Sequence, residues 1–106
     1  MNSVVLVGRI ATDIKEGYVK DKKKDYTVLN FTVAVPRKNS KDETDFLRCS
    51  AWNGLADFIK EYFTKGQRIA IRGEIRIDTV EKKEGKLSYT NILVHEADFC
   101  EPKKDK

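Results

Sequence analysis

One stretch of this chain carries its apolar residues at helical spacing, and it is embedded among runs that alternate every second residue. In "NGLADFIKEYFTKG", Leu55, Phe58, Ile59, Tyr62 and Phe63 recur as one stripe of a 3.6-residue period. Asn53 stands where an N-cap is wanted, and Gly66 where a helix end needs a left-handed residue. On either side the pattern is that of strands. "SVVLVGRI" at Ser3–Ile10 is almost continuously apolar. "VLNFTVAV" sets Leu29, Phe31, Val33 and Val35 on one face and Asn30, Thr32 and Ala34 on the other, until Pro36 stops it. A polar connection, "RKNSKDET", leads to a third strand over Phe46 to Trp52. Beyond the helix, "QRIAIRGEIRID" sets Ile69, Ile71, Ile75 and Ile77 with Gly73 against a face of Arg68, Ala70, Arg72, Glu74 and Arg76. "LSYTNILVHEADF", Leu87 to Phe99, is the last strand.

Three strands, a helix and two strands do not make the strand–helix alternation of a doubly wound sheet. The order predicts an all-β fold with one helix: an OB-fold, a five-stranded Greek-key barrel with the helix between the third and fourth strands. Gly8 and Gly73 lie inside strands, where a tightly coiled barrel needs bends. With 106 residues there is one core. We expect the domain to span 1–101 and a short polar tail 102–106.

Catalysis finds no foothold. The single histidine, His95, has no partner at fixed spacing, and no phosphate-loop, metalloprotease or nucleophile-elbow motif occurs. Cys49 and Cys100 form no metal spacing. The expectation is a non-enzyme with no cofactor and no metal. No run approaches membrane-spanning length and no leader opens the chain, which predicts a cytoplasmic protein that does not enter membranes.

The third strand poses the functional question. Leu47, Cys49 and Ala51 suit a core, so Phe46, Arg48, Ser50 and Trp52 must face the other way. Outward aromatics can mark a protein interface. Aromatics interleaved with a cation are also what unpaired nucleic acid requires, because every base has a face to stack and arginine pairs phosphates as well as rings. The net charge is +4, and its placement says more than its sum. Arg68, Arg72 and Arg76 share a strand face. Arg37, Lys38 and Lys41 crowd one loop, Lys82, Lys83 and Lys86 another, and "KDKKKD" at Lys20 to Asp25 a third, all interleaved with acids.

With these residues in view, the chain resembles the bacterial single-stranded DNA-binding proteins from Asn2 to about Pro102. The resemblance rests on "NSVVLVGRI", "NFTVAV", "TDFLRCSAWN", "LADFIKEYFTKGQRIAIRGEIR" and "YTNILV". It implies sequence-independent binding and protection of single-stranded DNA in replication, recombination or repair, by a homotetramer, with a dimer as the alternative. On that reading bases stack on Phe46 and Trp52, and Arg48, Arg72, Arg76, Arg37, Lys38, Lys82 and Lys83 neutralise phosphates. Asn30 and Thr32 hydrogen-bond sugars or bases, and the hairpin around Val80 to Lys86 reaches along the DNA.

Three departures matter. The connection Arg37–Thr44 has no aromatic, and the hairpin has Val80 where the family often has one. Fewer stacking platforms predict a steeper salt dependence. The chain ends in "EPKKDK", either shortened or a tailless form of the sort found on phages and mobile elements, and without an acidic tip few protein partners are expected. An OB-fold adaptor of primosomal type, using the same face mainly for protein, is the alternative reading. RNA binding stays open as well, since stacking and phosphate contacts are largely indifferent to the sugar.

Overall fold

The computed structural model describes residues 1–20, 25–39 and 42–100. Its strands are β1 (Val4–Ile10), β2 (Lys15–Lys20), β3 (Asp25–Pro36), β4 (Thr44–Trp52), β5 (Arg68–Lys82) and β6 (Gly85–Phe99), with one helix, α1 (Asn53–Tyr62), between β4 and β5. The sheet order is β1-β5-β6-β4-β3-β2, and β1 also pairs with β3. Five strands therefore close into a ring, the OB-fold barrel. Closure depends on a short parallel contact, Cys49 against Ile92 and Ser50 against Leu93, while the other pairings are antiparallel.

The sixth strand segment was not expected. β2 pairs with β3 over Lys15–Lys20, on the same edge that β1 meets at Val33 and Ala34. Between them Ala11 N–H donates to Thr32 O at 2.7 Å, and Thr32 N–H donates to Thr12 Oγ1 at 3.0 Å. β1, its link and β2 thus act as one bent strand along β3. Its second half, "KEGYVK", lacks the apolar alternation that marks a half-buried strand. The pairing also lengthens β3 back to Asp25, three residues before the apolar run begins.

The core holds Ile10, Leu29, Phe31, Val33, Cys49, Ala51, Ile69, Ile71, Ile92 and Val94 from the barrel, and Ala56, Ile59 and Phe63 from the helix segment. Leu29, Phe31, Val33, Cys49 and Ala51 are inward positions that the period-2 pattern assigned to β3 and β4, while Val35 and Leu47 of the same faces are only partly buried, and the helical stripe supplies the plug at one end. The helix start differs in detail from expectation. Trp52 occupies the cap position with extended backbone and no side-chain cap bond. Asn53 has φ +54 and its Oδ1 accepts from Thr27 N–H at 3.3 Å, tying the helix to β3. The helix end differs too: Phe63 caps it with extended backbone, and Gly66, at φ +92, instead serves the following turn, where Gln67 N–H donates to Thr64 O at 3.1 Å.

β5 also departs from the simple reading. Ile69 and Ile71 are buried, yet Ile75 and Ile77 on the same face are 42% and 60% exposed. The register shifts between Arg72 and Gly73, and β1 runs out opposite Gly73. From Glu74 onward β5 and β6 continue as a hairpin beyond the barrel. A Cβ on Gly73 would overlap the Leu93 carbonyl, and one on Gly8 the Ala34 carbonyl. Both positions need glycine for close backbone approach.

Candidate nucleic-acid interface

The outer face of β4 is built by alternation and register. Phe46, Arg48, Ser50 and Trp52 lie on the outer side because Leu47, Cys49 and Ala51 point in, though Ser50, hydrogen-bonded by Asn91, is buried. They pair across to Ala34, Thr32, Asn30 and Val28 of β3, and directly paired residues share a side. One surface therefore carries Asn30, Thr32, Phe46, Arg48 and Trp52. Phe46 is 65% exposed and Trp52 38%. The two aromatics are six residue steps apart along the strand, about 20 Å.

β6 and the hairpin extend this surface. The Arg48 guanidinium lies over the Tyr89 ring, 5.6 Å from its centroid. Asn91 Nδ2 donates to Ser50 Oγ at 3.0 Å. A cavity of about 570 Å³ opens here, lined by Ser50, Trp52, Arg76, Asp78, Asn91, Leu93, Val94 and His95. Tyr26 meets Trp52 edge-on, with centroids 6.1 Å apart.

Tyr26, Tyr89 and Asn91 are residues that the sequence reading passed over. Tyr26 has the parity of Val28 and Asn30, and a strand begun two residues earlier would have found it. Tyr89 shares a side with Asn91, but the apolar "ILV" that follows runs through both faces of β6 and hides the alternation. Tyr89, opposite Asp78, gives the hairpin the aromatic that Val80 fails to supply.

The predicted basic residues separate into two groups. Arg37 is clamped by its own loop: Nη1 to Glu43 Oε2 at 2.8 Å, Nη2 to Asp45 Oδ1 at 3.0 Å and Nε to the same oxygen at 3.1 Å. The hydrogen bond to Asp45, then its charge, raises the guanidinium pKa above its ordinary value. Arg72 Nε donates to Glu96 at 2.7 Å, and Arg76 Nε to Glu74 Oε2 at 2.7 Å. Among the described residues Arg48 instead meets a ring and no carboxylate. Lys38, Lys82 and Lys83 are exposed, with no ion-pair partner among the described residues. Arg72 does not line the cavity that Arg76 enters. Lys41, the centre of "KDKKKD" and the 102–106 tail lie outside the described residues.

Among the described residues no group of three or more His, Cys, Asp or Glu side chains could hold a metal ion, and no helix is long and apolar enough to cross a membrane. Burial pushes the Cys49 thiol up to about 12, a packed group and not a nucleophile.

A closed five-stranded barrel with an aromatic and cationic outer face is an OB-fold of the kind that binds extended polymers. The model of the single-strand binding protein family matches residues 1–100, and the chain belongs to that family. It is 36% identical over 102 residues to a single-stranded DNA-binding protein of Clostridium perfringens, covering 95% of this chain and 67% of the relative. The corresponding protein of Thermotoga maritima is 37% identical over 90 residues, covering 79% and 62%. Single-stranded DNA-binding protein 1 of Streptococcus pyogenes is 31% identical over 109 residues, covering 99% and 82%. The chain thus spans between 62% and 82% of the length of these relatives.

Proposed function

We propose that this chain binds single-stranded DNA without sequence preference and protects it during replication, recombination or repair in the bacterial cytoplasm, at the nucleoid. It acts as a binding protein and not as an enzyme. The observation that carries the reading is the outer face of β4, where Phe46 and Trp52 stand exposed with Arg48 between them, an arginine that among the described residues meets a ring and no acid. Bases stack on Phe46 and Trp52, and on Tyr89 once Arg48 turns to phosphate. Asn30 and Thr32, paired across to Ser50 and Arg48, hydrogen-bond sugars or bases. Arg48, Lys38, Lys82 and Lys83 meet phosphates directly. Arg37, Arg72 and Arg76 do so by sharing or releasing their carboxylates.

Residues 1–101 are the binding domain, and 102–106 contribute a polar tail. The protein acts as a homotetramer. Val5, 70% exposed on the outside of β1, and Ile77 on the hairpin support this, because both are apolar surfaces on strands that a neighbouring subunit can cover.

The test is affinity for oligothymidylate by fluorescence anisotropy, with Phe46 and Trp52 both replaced by Ala. Loss of two stacked bases is worth about 2–6 kcal/mol, a Kd at least about thirtyfold weaker. Unchanged affinity in the double variant contradicts the reading, and binding of a protein partner lost in its place would make this face an adaptor surface.

A further inference from the structure

Two residues that line the cavity beside Trp52, Arg76 and His95, share one carboxylate, that of Glu74. Glu74 Oε2 accepts from Arg76 Nε at 2.7 Å, and Glu74 Oε1 lies 2.8 Å from His95 Nε2. The acid lies beneath the two bases: its side chain is 23% exposed, against 57% for Arg76 and 41% for His95. An approaching anion meets Arg76 and His95 first. We propose that Glu74, Arg76 and His95 form a subsite for one phosphodiester of the bound strand, whose affinity is set by a proton on His95. The inference rests on the single-stranded DNA reading above and adds to it a specific phosphate site with a proton linkage.

The charges decide the sign. An ionised carboxylate only accepts hydrogen bonds, so the neutral imidazole presents Nε2–H to Glu74 and leaves Nδ1 bare. The bonds that Glu74 receives, from Arg76 first and from His95 second, hold its carboxyl below the usual range, so it is ionised at neutral pH. With the imidazole neutral, the group carries +1 from Arg76, −1 from Glu74 and nothing from His95. A proton taken from solvent onto Nδ1 makes the sum +1. Arg76 spends only Nε on Glu74, leaving its terminal nitrogens for a phosphate. Trp52 lines the same cavity, so a base stacked there brings its own phosphate within reach.

The surrounding charges are few. On β5, Asp78 lines the cavity and favours the imidazolium. Arg72 and Glu96 pair with each other beside the register shift. β4 faces the group with Ser50 and Trp52, neither of them charged near pH 7. A bound phosphate and a charged His95 therefore stabilise each other, and DNA binding takes up a proton.

His95 is the only histidine, so its ring Cε1 proton can be followed by NMR without assignment. We expect its apparent pKa to rise by about half a unit to one unit when the protein is saturated with oligothymidylate. In parallel, the Kd for a cyanine-labelled oligothymidylate at constant ionic strength should weaken about threefold to tenfold from about pH 6 to pH 8. His95→Gln should flatten that dependence, and Glu74→Gln should tighten binding about threefold near pH 8. A His95 titration that does not move on saturation overturns the subsite, as does a pH slope retained in His95→Gln. Absence of oligothymidylate binding at any pH overturns the DNA reading itself, a separate outcome.

Discussion

The two halves of β5 carry the same alternation and meet opposite fates. From Arg68 to Gly73 the strand is flanked by β1 on one edge and β6 on the other, and its isoleucines are sealed. From Glu74 to Lys82 only β6 remains beside it, and Ile75 and Ile77 lie open. The join is marked by the register shift at Gly73 and by Asn2, whose side-chain amide donates to Ile75 O at 2.8 Å and accepts from Ile75 N–H at 2.9 Å. Period-2 patterning tells which side chains share a face. Whether that face is covered depends on where the flanking strand ends. The barrel half is a scaffold, while the hairpin half offers aromatic, charged and apolar groups to whatever arrives.

The largest test of this contrast is a pair of truncations read by chemical denaturation. Ile71→Ala should cost about 2–5 kcal/mol, since it leaves a cavity in a closed core. Ile77→Ala should shift the stability of the folded chain by about 0.5 kcal/mol or less. Equal costs would mean that the hairpin half is packed within its own chain. Gly73→Ala should fall with the first variant, because its methyl must displace the Leu93 backbone.

Thiol chemistry sharpens the same contrast. Cys49 is buried in the barrel and bonded to Leu47 O at 3.5 Å, while Cys100 is half-buried at the end of β6. Native protein should release one thiol to a disulfide reagent quickly and the second only on unfolding. Burial raises the Cys49 pKa from 9.0 to about 12, so its contribution to stability is complete below about pH 9 and is lost as the pH climbs toward 12. Rapid modification of both thiols at neutral pH would contradict a sealed barrel.

The smallest effect belongs to the hairpin tip. Lys82→Gln and Lys83→Gln should each lower the slope of log affinity against log salt by about 0.7, the single-strand value per phosphate contact, with little change in fold stability. A slope that stays at the wild-type value would remove the tip from the DNA path.

Much of this was legible in the residues themselves. The single change of period between Trp52 and Gln67 gave the strand–helix order, and the parity of Phe46, Arg48 and Trp52 defined the outer face of β4. Three things were not legible, for physical reasons. β2 pairs with β3 along the backbone, and its sequence, "KEGYVK", carries no apolar alternation, so it left no pattern. Tyr26 lies on the part of β3 that exists only because β2 pairs with it. The carboxylate that holds Arg72 is selected by three-dimensional register, unlike Glu74 beside Arg76 on the same strand face: Glu96 meets Arg72 across a bulge from 24 residues away, and a one-residue slip would have sent it to the other face. Arg48 escaped such pairing because its cross-strand neighbours are Thr32 and, over the ring, Tyr89.

Trp52 is the only tryptophan, which makes one titration decisive for the β4 face: its intrinsic fluorescence against oligothymidylate at low and at high salt. The account predicts strong, saturable quenching as a base settles on the indole, with affinity falling as salt rises because phosphates are held by Arg48 and the lysines. Unquenched fluorescence while anisotropy still reports binding would put the DNA elsewhere and contradict the account.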